Sequence, residues 1–310
     1  MSKDPAPLHL TLPATSANLG PAFDAAALAF ELYLKVSARP ATAYSIVAQG
    51  RDREICGQLE NHLILTTYRE VLAAAGQAET PLALKIRNQI PIGKGCGSSA
   101  AARLAGIALA VHFGRLRWSE ARIIGEASRR EHHPDNAAAC WLGGLAVARL
   151  SGQAEVQAAR IRPKGKWPLA VAIPPHRLAT EEARRVLPAS YSRADAVVNI
   201  QNSMLLLAAL IQGRQDLLAA ALDDRIHQPY RASLCPLLPA LHELAGQPGI
   251  LGVALSGAGP SVLIFLDSTP PAKKIAAQVA AHLQQKQLPA ELVLTAIADR
   301  GAAPRRIPQP

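Results

Sequence analysis

The stretch Pro91-Ile92-Gly93-Lys94-Gly95-Cys96-Gly97-Ser98-Ser99-Ala100-Ala101-Ala102 lies between a strand-like run and an alanine-rich helical pattern. Gly93, Gly95 and Gly97 alternate with larger residues, and without a Cβ they let the backbone turn tightly and approach a ligand. Ser98 and Ser99 then open the helix, where unpaired amides and the positive end of the helix dipole favour a phosphate. The loop is built to hold an anion. It departs from Walker A, because Gly95 follows Lys94 where a Ser or Thr is needed. It departs from the dinucleotide fingerprint too, because Ser98 replaces the third glycine. Taken alone it also reads as a flexible strand-to-helix connection capped by serine, so its surroundings have to decide.

Upstream of the loop, β-rich runs predict strands over residues 8–12, 32–38, 44–48 and 82–87. Helical patterns cover 62–75, 98–113 and 119–130, the last with Ser119 as N-cap behind Trp118, and their apolar faces can cover a sheet. Further strands follow at 144–150 and 155–161, before the punctuation Arg162-Pro163-Lys164-Gly165-Lys166, which marks a domain boundary. The second half opens with the apolar run 169–173, which stops at Pro174-Pro175 as a buried strand should. Two or three helices come next. Strands at 250–255 and 262–266 then flank the turn Ser256-Gly257-Ala258-Gly259-Pro260-Ser261. A helix over 272–285 and a strand over 291–298 complete an α+β sandwich with helices on one face, and the tail 304–310 is expected to fray.

Composition narrows the function classes. The 310 residues carry 33 Lys and Arg against 23 Asp and Glu, a net +10, which points to anionic partners without choosing among them. An apolar content of 49% fits a folded chain, and 4% aromatics leave few rings for stacking on nucleic-acid bases. The longest apolar run, 204–211, is too short to cross a bilayer, and the first residues lack the basic-then-apolar order of a signal peptide. A cytoplasmic protein with no membrane partner is the expectation. Cys56, Cys96, Cys140 and Cys235 form no C-x-x-C pair and read as reduced thiols.

Three more segments set the context of the loop: Pro13-Ala14-Thr15-Ser16-Ala17-Asn18-Leu19-Gly20-Pro21-Ala22-Phe23-Asp24, His133-Pro134-Asp135-Asn136, and the turn 256–261. With the loop they make four motifs in one order across most of the chain. In that set the chain resembles the GHMP small-molecule kinases, and within them the homoserine kinase branch. The resemblance implies a two-domain fold: an N-terminal ATP-binding domain, 1–163, with a mixed sheet and helices, and a C-terminal domain, 164–310, built as a ferredoxin-like sandwich. It implies ATP and Mg²⁺ as cofactors, L-homoserine as substrate, and a homodimer.

Residue by residue, the resemblance assigns residues 91–101 (Pro91, Ile92, Gly93, Lys94, Gly95, Cys96, Gly97, Ser98, Ser99, Ala100 and Ala101) to ATP, with the amides of Gly93 to Ser99 wrapping the phosphates. Ser99, ahead of Ser98, reaches Mg²⁺, and a carboxylate just before His-Pro-Asp-Asn completes the protein's share. Glu131 is the first choice for it and Glu126 the second. A hard cation bridging phosphates usually takes only one or two protein oxygens, so this set is chemically sufficient. Outside the family, either glutamate reads as a helix carboxylate paired with Arg130 or Arg122.

A zwitterionic substrate with a free hydroxyl needs a cation, an anion or amide, and a group to aim the hydroxyl. By resemblance Asn18, Asp24 and Thr180 face the amino acid, Arg184 and Arg231 clamp its carboxylate, and Asn136 orients the hydroxyl, since an amide cannot act as a general base. The glycine turn Ser256, Gly257, Ala258 and Gly259 closes over substrate or phosphate. His132 and His133, with Asp135 beside them, invite a metal or base reading, but adjacent helical residues diverge and no H-x-x-x-H partner follows. The chain departs from the family at Ala22, where a glycine is usual, at residues 25–27 and 137–139, and at Cys96, where leucine is usual. Ala22 has to avoid positive φ, so the shape of the loop carrying Asp24 is expected to adjust. Two rival readings are a basic nucleic-acid-binding protein, for which no motif is present, and a kinase relative that binds metabolites without turnover.

Overall fold

In a computed structural model, residues 5–151, 155–269 and 271–302 are described; the tail expected to fray lies outside them. The first sheet comprises β1 (Leu8–Ala17), β2 (Ala26–Pro40), β3 (Ser45–Gly50), β4 (Leu82–Asn88), β5 (Leu145–Leu150) and β6 (Val156–Ile161). Its order is β3-β4-β2-β5-β6, with β1 also paired to β2. The 15-residue β2 organises it: Leu34–Pro40 pair with β4, Ala26–Leu28 pair with β5, and the other edge runs along β1. Only β3 and β4 are parallel. Both β1 and β2 extend beyond the predicted strands, because the register shifts at Pro13/Ala14 and pairing resumes through small residues with no polar alternation.

Helices α1 (Arg53–Cys56), α2 (Leu63–Ala74), α3 (Ser98–Phe113), α4 (Glu120–Glu131) and α5 (Asp135–Leu142) accompany this sheet. Ser119 caps α4 as predicted, its hydroxyl accepting from the Arg122 amide at 3.1 Å. Alanines let α3 sink into the core, and Gly106 lets it meet α2 closely: a Cβ there would lie 2.5 Å from the Ile64 carbonyl oxygen. That contact fixes the height of α3, and so of the loop that feeds it.

The second sheet, β7 (Leu169–Ile173), β8 (Ile250–Leu255), β9 (Val262–Leu266) and β10 (Glu291–Thr295), is antiparallel throughout with order β10-β7-β9-β8. Numbered along the chain that is 4-1-3-2, the ferredoxin-like arrangement. Between β7 and β8 stand α6 (Thr180–Arg185), α7 (Arg193–Gln212), α8 (Leu218–Ala221), α9 (Gln228–Arg231) and α10 (Leu237–His242), more helices than predicted, since four of them have six residues or fewer and are too short to show a period. Helix α11 (Ala272–Gln285) matches its predicted bounds.

Both faces of the second sheet are buried. Ala170, Ala172, Ile264 and Leu266 pack with Leu241, Ile275 and Val279 of α10 and α11. Leu169, Val171, Leu263 and Phe265 turn the other way, into one apolar cluster with Leu206 and Leu210 of α7 and with Phe30 and Trp141 of the first half. The last predicted strand ends at Thr295 and is followed by a crossing: Ile297 bridges Phe30, and Ala298 donates to the Ala29 carbonyl at 2.9 Å. The crossing fills the edge of β2 between β4 and β5, and ties the halves together beside the functional motifs.

Candidate active site

The glycine loop is held by its carbonyls. The Gly93 oxygen accepts from the Leu178 amide (3.1 Å), the Cys96 oxygen from the Thr15 amide (3.1 Å) and the Gly95 oxygen from the Ser256 hydroxyl (2.8 Å). Gly93, Gly95 and Gly97 have φ of 70°, 75° and 70°. A Cβ at Gly97 would fall 1.9 Å from Thr15 Oγ1, and one at Gly95 2.2 Å from the Ser256 carbonyl. Glycine is thus demanded twice, by conformation and by the close approach of β1 and the C-terminal turn. The N-cap of α3 is Gly97, without a side-chain cap, rather than a serine, so the first amides of the helix have no side-chain oxygen on them.

The loop separates two cavities and lines both, through Gly93, Ser98 and Ser99. One, of about 100 Å³, gathers Asn18, Asp24, Glu131, Asn136, Thr180, Arg184, Arg231, Gly257, Ala258 and Gly259. The other, of about 500 Å³, is walled by Leu34, Ile55, Ile64, Ile86, Ile90 and Ile92, with Asn61, His62 and Asn88 among them. Pro91, Lys94, Cys96, Ala100 and Ala101 line neither cavity. Cys96 is buried and its thiol is pushed up to about 12 by that burial. Ser256 is also buried, its hydroxyl spent on the Gly95 carbonyl.

The Ser99 hydroxyl donates to Glu131 Oε1 at 2.6 Å, and Arg103 Nε donates to the same oxygen at 2.6 Å. Glu126 lies outside the cavity, paired with Arg129 and with Arg130 (Nε at 2.9 Å). Of the two candidate carboxylates only Glu131 is brought to the loop. A hydroxyl and a carboxylate oxygen side by side form a hard donor set that fits Mg²⁺.

At the far side Asn136, in the first turn of α5, accepts from the Thr15 hydroxyl at 2.6 Å. The Asn18 amide donates to the Gly257 carbonyl at 2.8 Å, while its oxygen accepts from the Asp24 amide at 2.9 Å, so it pins the first motif to the C-terminal turn. Left-handed backbone falls on Asn18, Leu19, Gly20 and Asp24, and Ala22 escapes it, which is how the loop accommodates alanine. Asp24 and Arg184 form a two-pronged ion pair, 2.7 and 3.0 Å.

Arg231 is almost fully buried. Its Nε donates to the Ala183 carbonyl (2.9 Å) and Nη1 reaches His227 Nδ1 (3.2 Å) and the Gly257 carbonyl (3.3 Å). The Phe23 ring lies 5.3 Å from the Arg231 guanidinium and 5.4 Å from that of Arg184. Burial, and then the charge of Arg184, lower the Arg231 pKa to about 10. This is a cation with little water and a like-charged neighbour, which gains by meeting a carboxylate.

Several groups escaped sequence reasoning. Thr15 and Phe23 stood inside a quoted motif, whereas Arg103 and the apolar cavity gave no local signal. His227 is fully buried, accepts Arg231 at Nδ1 and donates from Nε2 to the Gly20 carbonyl (2.8 Å), and desolvation lowers its pKa to about 4. His133 and Asp135 do pair, at 2.6 Å, because α4 ends at a left-handed His132 and the segment between helices is not helical. Burial disfavours the His133 charge, but Asp135, with Asp24 and Glu131 behind it, raises its pKa overall.

Known proteins share this architecture. Residues 62–144 match the GHMP kinases N terminal domain and 206–285 the GHMP kinases C terminal model. The homoserine kinase of Solibacter usitatus is 45% identical over 263 residues, 84% of this chain and 85% of the relative. That of Desulfitobacterium hafniense is 35% identical over 296 residues, 96% and 99% of the two chains. The crystal structure of homoserine kinase from Cytophaga hutchinsonii superposes with a TM-score of 0.81 at 22% identity, covering 97% of each chain. The two-domain architecture, the loop and the full-length similarity together place the chain in the homoserine kinase family of the GHMP kinases.

Proposed function

We propose that the protein transfers the terminal phosphoryl group of ATP to the side-chain hydroxyl of L-homoserine, giving O-phospho-L-homoserine and ADP. The observation that carries this reading is the small charged cavity with Asp24, Arg184 and Arg231 around it, joined across the glycine loop to a larger apolar one. The apolar cavity suits a purine, the amides from Gly93 to Ser99 suit the phosphates, and the charged cavity suits a zwitterion. Ser99 and Glu131 would hold Mg²⁺, which when bound would supply positive charge to offset that of the phosphates. Arg184 and Arg231 take the substrate carboxylate, Asp24 the ammonium, and Asn136 with Thr15 aims the hydroxyl.

No residue is needed as a strong base, because a loose phosphoryl-transfer transition state depends on alignment and charge compensation. The hydroxyl oxygen forms the new O–P bond as the bond to the ADP oxygen breaks, and its proton passes late to an oxygen of the transferred phosphoryl group and from there to water. We read residues 1–163 and 164–310 as the two domains, the assembly as a homodimer and the compartment as the cytoplasm, with neither nucleic acid nor membrane as partner. ADP release measured with homoserine, mevalonate, galactose and shikimate tests the substrate. Homoserine should be used far ahead of the others, and turnover of another alcohol with none of homoserine would overturn the assignment.

A further inference from the structure

Helix α7 presents an apolar face that none of the described residues covers. Val197, Ile200, Met204 and Ile211 are exposed along it, Ile200 and Met204 at 63% each, with Leu207 partly buried between them. These positions step by three, four, three and four residues, the repeat of a coiled-coil seam. Between Ala196 and Gln212 there is no charged residue. The opposite face is already used: Leu206, Ala209 and Leu210 are buried, and Asn199 and Ser203 donate to the Pro21 carbonyl at 2.6 and 2.8 Å. A helix apolar on both faces is composed for burial on both faces.

We propose that the outer seam of α7 is the surface through which two copies of this chain associate, antiparallel about a two-fold axis near Met204. The proposal rests on the homodimer reading above and is independent of the catalytic one. Charge is confined to the ends, with Arg193 and Asp195 in the first turn and Arg214 and Asp216 just past the last. An antiparallel copy centred near Met204 brings Arg193 toward Asp216 of the second copy, twice by symmetry, whereas Asp195 lies about 200° around the helix from Val197 and accepts the Ser192 hydroxyl at 2.6 Å. A parallel copy would set like beside like. Arg214 and Asp216 pair with each other within one chain, but both are more than half exposed and free to turn toward a partner. The antiparallel arrangement also opposes the two helix dipoles and places Val197 beside Ile211 of the other copy. Such self-complementarity is what an isologous interface requires. A lipid surface fits less well, because a helix lying on a membrane carries its Lys and Arg on the polar face, whereas the second face of α7 is bonded into the protein.

Light scattering on the full chain after size exclusion tests this. The chain should run at about twice its 32.7 kDa mass, and Ile200→Glu combined with Met204→Glu should run as the 32.7 kDa monomer with an unchanged circular dichroism spectrum. Val47→Glu, exposed on β3, should leave the dimer intact. The milder Ile200→Gln, which adds no charge, should raise the dimer Kd by about tenfold or more. An Ile200→Gln Kd equal to that of the parent, or a double variant that stays dimeric, would overturn the seam while leaving a homodimer through another face. A parent chain that is monomeric would overturn both, and one that also co-sediments with phosphatidylcholine vesicles would assign the seam to lipid. ADP release, read separately, reports on the kinase assignment.

Discussion

The glycine loop and the charged cavity beside it solve the same task, holding an anion, in opposite ways. The loop has no side-chain charge among its cavity-lining residues and is anchored through the Gly93, Gly95 and Cys96 carbonyls, which leaves its amides to face a ligand. The charged cavity is paired within itself: Asp24 holds Arg184, and Arg231 is bonded to carbonyls and to His227. A phosphate can enter the loop without displacing a side-chain partner. A zwitterion has to exchange with an existing ion pair, its carboxylate taking over Arg184 and its ammonium Asp24. Selectivity belongs on the exchanging side, since only a molecule with both charges repays both halves of the broken pair.

The largest expected effect lies on the loop. Gly97→Ala puts a methyl into the Thr15 hydroxyl at positive φ, and should cut kcat/KM by about 100-fold or more, with the thermal shift given by ATP lost. On the exchanging side, Arg231→Ala should raise KM for homoserine by about 100-fold with KM for ATP little changed, and Arg231→Lys should not restore it. Unaltered homoserine kinetics would remove Arg231 from the clamp. Between the two regions, Glu131→Gln should raise the Mg²⁺ concentration for half-maximal rate by about tenfold, and Glu126→Gln should not. Equal effects would contradict the separation of the two carboxylates.

The smallest effect concerns pH. His227 has a folded pKa of about 4 against an ordinary 6.5, so its neutral form belongs to the native state. Its contribution is complete above pH 6.5 and is lost as pH falls toward 4, because the unfolded chain then binds a proton that the folded chain refuses. Denaturant unfolding between pH 4 and 7 should show stability rising with pH, and His227→Asn should flatten that rise. His133 has the opposite sign: its raised pKa adds stability below 6.5 that is lost as pH climbs through the folded value.

Strands β7, β8 and β9 were legible in the sequence because each is a short apolar run bounded by proline or glycine, and the loop because its glycines sit between a strand and a helix. Helices α8 and α9 were not, since four residues carry no period. The choice between Glu131 and Glu126 needed the third dimension: both stand on α4, and only the packing of α3 against it decides which meets Ser99. The Asp24–Arg184 pair joins residues 160 apart, and the apolar cavity is assembled from β2, β4 and the α1–α2 segment, so neither left a local trace. The apolar run of α7 carries no local mark of which face is buried, and only the face with Leu206, Ala209 and Leu210 is.

Recognition in the charged cavity turns on the two charges of the substrate. The decisive measurement is kcat/KM for L-homoserine beside 3-aminopropan-1-ol, which lacks the carboxylate, and 4-hydroxybutyrate, which lacks the ammonium. Homoserine should exceed each analogue by about 100-fold or more, the cost of leaving one half of the Asp24–Arg184 pair without its new partner. Comparable turnover of either analogue would contradict the exchange and the roles given to Asp24, Arg184 and Arg231.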